Sequence, residues 1–294
     1  MRFLLRLCAV GMVAIWAATA GTCQTTAVPK PKIDHAALRK LGWKLGCQAF
    51  TFREMTLFET IDTLRSLDIR CVELFPGQRL SRERPISVDQ NMPAEAVDEL
   101  VKKLKASNVQ AVAFGVVGGL GADEANARKL FEFAKKLGIE TITAEPPAQA
   151  MPMLDKLCQE YKISIAIHNH PRPSPYWNPD VILDAAKGCS KRIGSCADVG
   201  HWYRSGLAPM DCLRKLKGRV VSLHLKDLDE AKRDVPVGDG VLGVKALLTE
   251  LKSQGFKGVV SIEYEVGSGA QLIADVAKCA AFVSSVATEL AKAR

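Results

Sequence analysis

The sequence predicts an α/β fold: a single-domain (β/α)₈ TIM barrel that follows an N-terminal signal peptide. Two patterns carry the prediction. Eight short apolar runs rich in β-branched residues recur along the chain, and the longer stretches between them are amphipathic with helical period. Length and composition agree, since 294 residues suit one large domain, and 48% apolar with 24% charged residues is ordinary for a folded globular chain.

Taken in order, the chain opens on a different kind of segment. Arg2 and Arg6 make a basic start, Leu7 to Ala18 is an uncharged, mostly apolar run, and Ala18-Thr19-Ala20 fits a small-residue cleavage site. Residues 1–20 therefore read as a secretory signal, too short in its apolar part to span a bilayer. The expected location is the periplasm or the exterior, with no membrane attachment after cleavage. Residues 21–42, with Pro29 and Pro31, read as a linker and N-terminal segment, and the barrel is expected over 43–294.

The eight strand candidates are Lys44 to Phe50, Cys71 to Phe75, Gln110 to Gly115, Thr141 to Glu145, Ser164 to His168, Gly194 to Asp198, Val220 to Leu225 and Val259 to Glu263. Between them, sets such as Leu57, Ile61, Leu64 and Leu67, or Val97, Leu100, Val101 and Leu104, place one apolar stripe against a sheet. Each intervening stretch is long enough to cross back over its strand. Eight parallel strands with crossovers match a closed barrel better than an open doubly wound sheet, and no GxGxxG turn follows the first strand.

Charge and cysteines narrow the function classes. Removal of residues 1–20 takes two arginines and no acids, leaving the formal charge at +6 rather than +8. The basic residues spread over helical stretches, so no nucleic-acid footprint emerges. Eight cysteines remain without a CxxC pair or a disulfide framework, and Cys47, Cys71 and Cys196 fall in strand-like runs as small buried hydrophobes.

In a barrel strand every second side chain points inward, and catalytic groups gather where strands end at the C-terminal mouth. The fourth run ends in Glu145, the fifth in His168-Asn169-His170, the sixth in Asp198 followed by His201, the seventh in His224 and Lys226, and the eighth in Glu263 and Glu265. Parity holds within the runs: Thr141, Thr143 and Glu145 share a face, as do Ala166, His168 and His170, then Ser222, His224 and Lys226, then Ser261, Glu263 and Glu265. Four of the five histidines belong to this set, and only His35 lies outside it. Carboxylates paired with imidazoles favour one divalent cation such as Mn²⁺, Zn²⁺, Co²⁺ or Mg²⁺ over a soft thiolate-bound metal. Without a cation, so many carboxylates at one mouth repel.

These residues resemble a known family. Asp198-Val-Gly-His201 with the following Trp-Tyr-Arg-Ser-Gly, then His224-Leu-Lys-Asp227, Gly238-Asp-Gly240 and Ser261-Ile-Glu263-Tyr are similar to the xylose isomerase-like barrels, and within them to the sugar phosphate isomerase and epimerase group. The likeness runs from about Trp43 to the end. The resemblance implies a single metal held by a glutamate, an aspartate, a histidine and a glutamate, with Asp198, His224 and Glu263 as the last three. The usual first glutamate closes the fifth strand, where this chain has His168, so Glu145 or His170 is expected in its place. That departure bears on the two-glutamate proton exchange by which such epimerases invert a carbon. The apurinic endonuclease branch shares two of the motifs but uses extra histidines, and none occurs here in the second or third strand.

The resulting expectation is metal-assisted isomerisation or epimerisation of an unphosphorylated ketosugar, with β-elimination from a 3-keto-glycoside as the rival and a non-catalytic sugar-binding barrel as the reading from another class. His168, His201 and Lys226 are the expected catalytic groups. His201 either orients a substrate hydroxyl or backs a metal ligand, and Lys226 either donates to substrate or pairs with Asp227 or Glu265. Trp177 and Trp202, with Tyr176, either stack on a sugar ring or pack their loops, and Glu73 binds a hydroxyl or fills the barrel. The partner is a small-molecule sugar, with no nucleic acid; oligomeric state is not legible.

Overall fold

The computed structural model describes residues 30–293. The expected signal over 1–20 and the start of the expected linker lie outside them. Eight parallel strands close a barrel: β1 (Trp43–Gln48), β2 (Cys71–Leu74), β3 (Gln110–Val117), β4 (Thr141–Ala144), β5 (Ser164–His168), β6 (Ile193–Asp198), β7 (Val220–Leu225) and β8 (Gly258–Ile262). Each pairs with its sequence neighbours, and β1 closes on β8 through a register of Trp43 with Gly258 to Cys47 with Ile262. All eight expected strands form.

Ten α-helices accompany them among the described residues: α1 (His35–Leu41), α2 (Leu57–Ser66), α3 (Ala94–Ser107), α4 (Glu124–Leu137), α5 (Met151–Tyr161), α6 (Pro179–Ala185), α7 (Val199–Arg204), α8 (Pro209–Lys215), α9 (Val244–Ser253) and α10 (Gly269–Lys292). The sequence stripes explain their seating. Leu57, Ile61 and Leu64 of α2, and Val97, Leu100 and Leu104 of α3, are buried against the barrel, whereas Val101 stays largely exposed. Helix α10 is long and apolar enough to cross a membrane by length and composition, but Leu272, Val276, Val283 and Val286 are buried in the barrel wall.

Part of the expected linker is instead a helix. Asp34 caps α1 by accepting from the backbone N–H groups of Ala36 and Ala37, at 3.1 and 2.9 Å. Its other oxygen accepts from Thr288 Oγ1 of α10 at 3.1 Å, and its own N–H donates to Ser284 Oγ at 2.7 Å. With Ala37 and Leu38 buried, this segment packs against α10 and β1.

One loop at the mouth has an unusual anchor. A two-residue ribbon, Asp227–Leu228 with Asp234–Val235, follows β7. The buried Asp227 carboxylate accepts four backbone N–H groups, from Leu228, Gly238, Gly240 and Leu242, at 3.0 to 3.1 Å. A Cβ on Gly240 would lie 2.3 Å from Asp227 Oδ1, so glycine is required for that approach. The Gly238-Asp-Gly240 motif thus shapes a loop and supplies no ligand.

Candidate metal centre

The ends of β5 to β8 bring four ligand-type side chains to one point. His168, Asp198, His224 and Glu263 each offer an atom, all within 4.8 Å of one another, and all four residues are buried. Their depth follows from strand parity, with Ser222 and Ser261 in the layer below His224 and Glu263, both fully buried. Asp198 also caps α7, its Oδ1 accepting from His201 N at 2.7 Å. Asn169 fixes that strand end by bonding both the N–H and the C=O of Asp198, each at 2.9 Å.

The outer nitrogen of each ligand-type imidazole faces a glutamate, closely for His224 and at 3.5 Å for His168, whose Nδ1 also lies 3.3 Å from His170 Nδ1. Glu73, from β2, crosses the barrel so that Oε2 accepts from His224 Nε2 at 2.9 Å while Oε1 accepts from Thr143 Oγ1 at 2.7 Å. Glu145 Oε1 lies 3.5 Å from His168 Nδ1 and very close to His170 Nδ1, and its Oε2 accepts from Ser174 Oγ at 2.7 Å. Those contacts leave His168 Nε2 and His224 Nδ1 facing the centre, buried and without a hydrogen-bond partner. His224 Nδ1 is 2.9 Å from Glu263 Oε2 without hydrogen-bond alignment, and His168 Nε2 is 3.6 Å from Asp198 Oδ2.

The electrostatics describe a slot for positive charge. Burial works against every ionised group here, yet Glu73, Asp198 and Glu263 are all held below their ordinary range by facing His224, His201, Lys226 and His168. For His224 burial opposes the imidazolium, but the facing Cys196, Glu73 and Glu263 outweigh it and raise its pKa. Lys226 passes over Gly200, where a Cβ would meet its stem at 2.8 Å. Its ammonium lies 3.0 Å from Asp198 Oδ2 and against Glu263 Oε2, and those carboxylates hold it charged despite full burial. Two orphaned imidazole nitrogens converging with two carboxylates, each imidazole backed by an acid, is a donor set that fits a borderline or hard divalent cation.

A second trio, His168, His170 and His201, also lies within 4.8 Å. The His170 side chain is 48% exposed, and its Nδ1 contacts Glu145 Oε1. His201 is buried, and burial with the nearby Lys226 pushes its pKa down to about 3 even though Asp198 opposes the shift. Arg204 Nη1 contacts His201 Nδ1 at 3.2 Å and Glu265 Oε2 at 2.8 Å, while Nη2 donates to Asp234 Oδ2 at 2.7 Å.

The expected site residues are thus redistributed. Asp198, His224 and Glu263 meet as the sequence suggested, and Lys226 joins them. His168, expected as a catalytic group, sits among the ligand-type atoms, whereas Glu145, expected as a ligand, lies behind it; His170 is in the outer trio. Glu73 is fully buried behind His224 and out of reach of a substrate. Trp202 is fully buried as well, because it points from the short α7 into the core, so it cannot stack on a sugar. Trp177 is half-buried with the Arg172 guanidinium over its ring at 3.6 Å, and Tyr176 is buried with its hydroxyl on Pro146 O. Asn169 and Arg204 escaped the sequence reading, although Asn169 sits between two singled-out histidines. So did Phe50 and Phe75, an edge-on pair in the loops after β1 and β2 with ring centroids 5.0 Å apart.

Comparisons with known proteins agree with this architecture. The family model described as xylose isomerase-like TIM barrel matches residues 61–281. A crystal structure of a protein from Parabacteroides distasonis ATCC 8503 is 34% identical, covers 82% of this chain and 98% of its own, and superposes with a TM-score of 0.67. D-psicose 3-epimerase from Clostridium cellulolyticum H10 has a TM-score of 0.66 at 13% identity, over 82% of this chain and 98% of that one, a likeness of fold alone. Inosose dehydratase from Bacillus cereus (strain AH820) is 25% identical over 138 residues, 40% of this chain. The match spans 46% of that relative's length.

Proposed function

Because the chain belongs to the xylose isomerase-like TIM barrel family, we propose that it is a divalent-metal-dependent sugar isomerase or epimerase that removes a proton next to the carbonyl of an unphosphorylated ketosugar. The observation that carries this reading is the convergence of His168, Asp198, His224 and Glu263, with His168 Nε2 and His224 Nδ1 unpaired at its centre. Manganese, zinc, cobalt and magnesium ions all suit such donors. A cation bound there would supply Lewis acidity, lowering the cost of negative charge on a carbonyl oxygen as the neighbouring carbon is deprotonated.

The chain's own residues divide the remaining work. Glu263, kept ionised by Lys226 and His224, is the carboxylate placed to take the proton. Lys226 is the donor that would protonate the substrate's oxygens, and His201 the one that would hydrogen-bond them. Because His168 stands where the family resemblance calls for a second glutamate, one carboxylate base serves the site. That favours returning the proton on the same side, which interconverts neighbouring carbonyl and hydroxyl carbons, over inversion by two opposed carboxylates. We take the sugar to be unphosphorylated because the chain's opening reads as an export signal, and we place the protein in the periplasm or outside the cell.

A second reading, β-elimination from a 3-keto-glycoside or related keto-sugar, shares the first proton abstraction. It is favoured by the Lys226 ammonium beside Glu263, which can protonate a departing oxygen, and by the relative named inosose dehydratase. The test is incubation of metal-loaded protein with a panel of ketosugars and 3-keto-glycosides in deuterated water, read by NMR and mass spectrometry. Solvent deuterium at the carbon next to the carbonyl, with an isomeric sugar formed, supports the first reading, and release of the aglycone or of water supports the second. Sugar binding without exchange sinks both and leaves a binding barrel.

A further inference from the structure

We infer that Arg204 is a positioning residue that fixes His201 as the neutral imidazole with its proton on Nε2, so that His201 acts as a hydrogen-bond donor to the substrate rather than as a metal ligand or base. The argument is one of donor and acceptor counting. A guanidinium has only N–H donors and no acceptor, so the 3.2 Å contact between Arg204 Nη1 and His201 Nδ1 requires a lone pair on Nδ1. The single remaining proton of the neutral ring is then on Nε2.

Arg204 is not free to do otherwise. Nη1 has two N–H groups, and the second goes to Glu265 Oε2 at 2.8 Å; Nη2 donates to Asp234 Oδ2 at 2.7 Å. The spacing from His201 to Arg204 is three residues on α7, which puts both on one side of the helix. The His201 side chain is only 7% exposed, so water is poorly placed to replace the arginine or to stabilise the other tautomer. The freed N–H on Nε2 lies 3.6 Å from Asp198 Oδ2, beside the quartet and not within it. The rings of His168 and His170 stand 5.7 and 5.5 Å away, so the three histidines are close, but the one that would complete a second metal trio carries a proton on the inward nitrogen.

The role as substrate donor rests on the proposed carbonyl chemistry, but the tautomer does not, and the experiment separates them. Full-length mature protein labelled with ¹⁵N-histidine is examined by two-bond proton–nitrogen correlation, with His201→Gln identifying the His201 signals by their loss. The expected wild-type pattern has Nε2 at the protonated end of the nitrogen range and Nδ1 at the unprotonated end, unchanged on adding the metal. Arg204→Met is expected to mix or invert the pattern, and Arg204→Lys, which keeps a donor, to restore it at least in part. A His201 ring carrying a proton on Nδ1 in the wild type, a shift of Nε2 on metal addition that marks ligation, or an Arg204→Met pattern equal to wild type overturns the inference.

Turnover gives the second readout. A glutamine amide N–H can stand in for Nε2–H, so His201→Gln should stay within about tenfold of wild-type kcat while His201→Ala loses about 100-fold, the scale of removing one hydrogen-bond donor from a developing oxyanion. Equal losses in the two variants would mean that His201 is a base or a ligand. If no carbonyl sugar is turned over at all, the proposed function fails while the tautomer assignment stands or falls on the spectra alone.

Discussion

At the residue scale the centre is a problem of charge compensation. Asp198 and Glu263 are buried beside an ammonium, and two imidazole nitrogens face them without partners. The glutamates behind the imidazoles fix which nitrogen faces inward, so Glu73→Gln and Glu145→Gln should each weaken metal binding about 10–100-fold, as removal of such outer partners typically does. Titration calorimetry on the purified variants would reveal it, and unchanged affinity in both would remove the pairing argument. Lys226 works in the opposite sense. A unit charge ~4 Å away is worth up to ~4 kcal/mol at an effective dielectric of ~20, so Lys226→Met should bind the cation about tenfold tighter or more while turning over more slowly. The residue types at this centre were legible because alternate positions on five strand ends carried acids, imidazoles or amines. What each one touches was not. His201 and Trp202 are neighbours on a helix with ~100° between successive side chains, so when one faces the mouth the other turns under it, and the sequence does not say which.

At the scale of elements, the strands were readable because β-branched runs and two-residue alternation both mark them, and His168 and Asp198 end their strands as expected. Helix α1 was missed because seven residues after a proline-rich stretch offer little periodicity, although its Asp34 cap was present in the sequence. Register shifts at Val72 with Glu73 and at Ser195 with Cys196 carry no clear sequence mark, yet they lie next to side chains that enter the centre. The loop after β7 shows how a motif can be structural. Asp227 ties four backbone N–H groups, and the loop's geometry depends on Gly240, whose missing Cβ lets the chain approach that carboxylate. Gly240→Ala should therefore destabilise the fold by about 1–3 kcal/mol, the usual cost of forcing extra atoms into a packed site. Urea denaturation would measure it; a midpoint equal to wild type would show that the loop relaxes freely and that Asp227 does not constrain it.

For the whole molecule, closure of the barrel forces the ends of β5 to β8 together, and stability becomes linked to whatever balances the charge gathered there. Glu73, Glu145, Asp198 and Glu263 have folded pKa values below their ordinary ones of 4.5 for glutamate and 3.8 for aspartate. Each therefore binds its proton more weakly in the folded state, and the stability it contributes is complete above the ordinary value and lost as pH falls through the folded one. His224 has the opposite sign. Its folded pKa is raised above 6.5, so its contribution is complete below that value and lost as pH rises through the higher one. A cation that binds His224 would compete with a proton for the ring, whose hold on that proton the facing carboxylates strengthen, so metal stabilisation should grow with pH. Thermal melts with and without a chelator should then diverge as pH rises from roughly 5 to 8, and free metal at 100 times its dissociation constant should add about 2.7 kcal/mol. The chelated protein alone should lose stability toward pH ~3, less steeply in Glu73→Gln, where one depressed carboxylate is gone. Melting temperatures that ignore both chelator and pH would mean that Lys226 and the proton on His224 already fill the slot, and the barrel mouth would then be an ion-pair network that holds no cation.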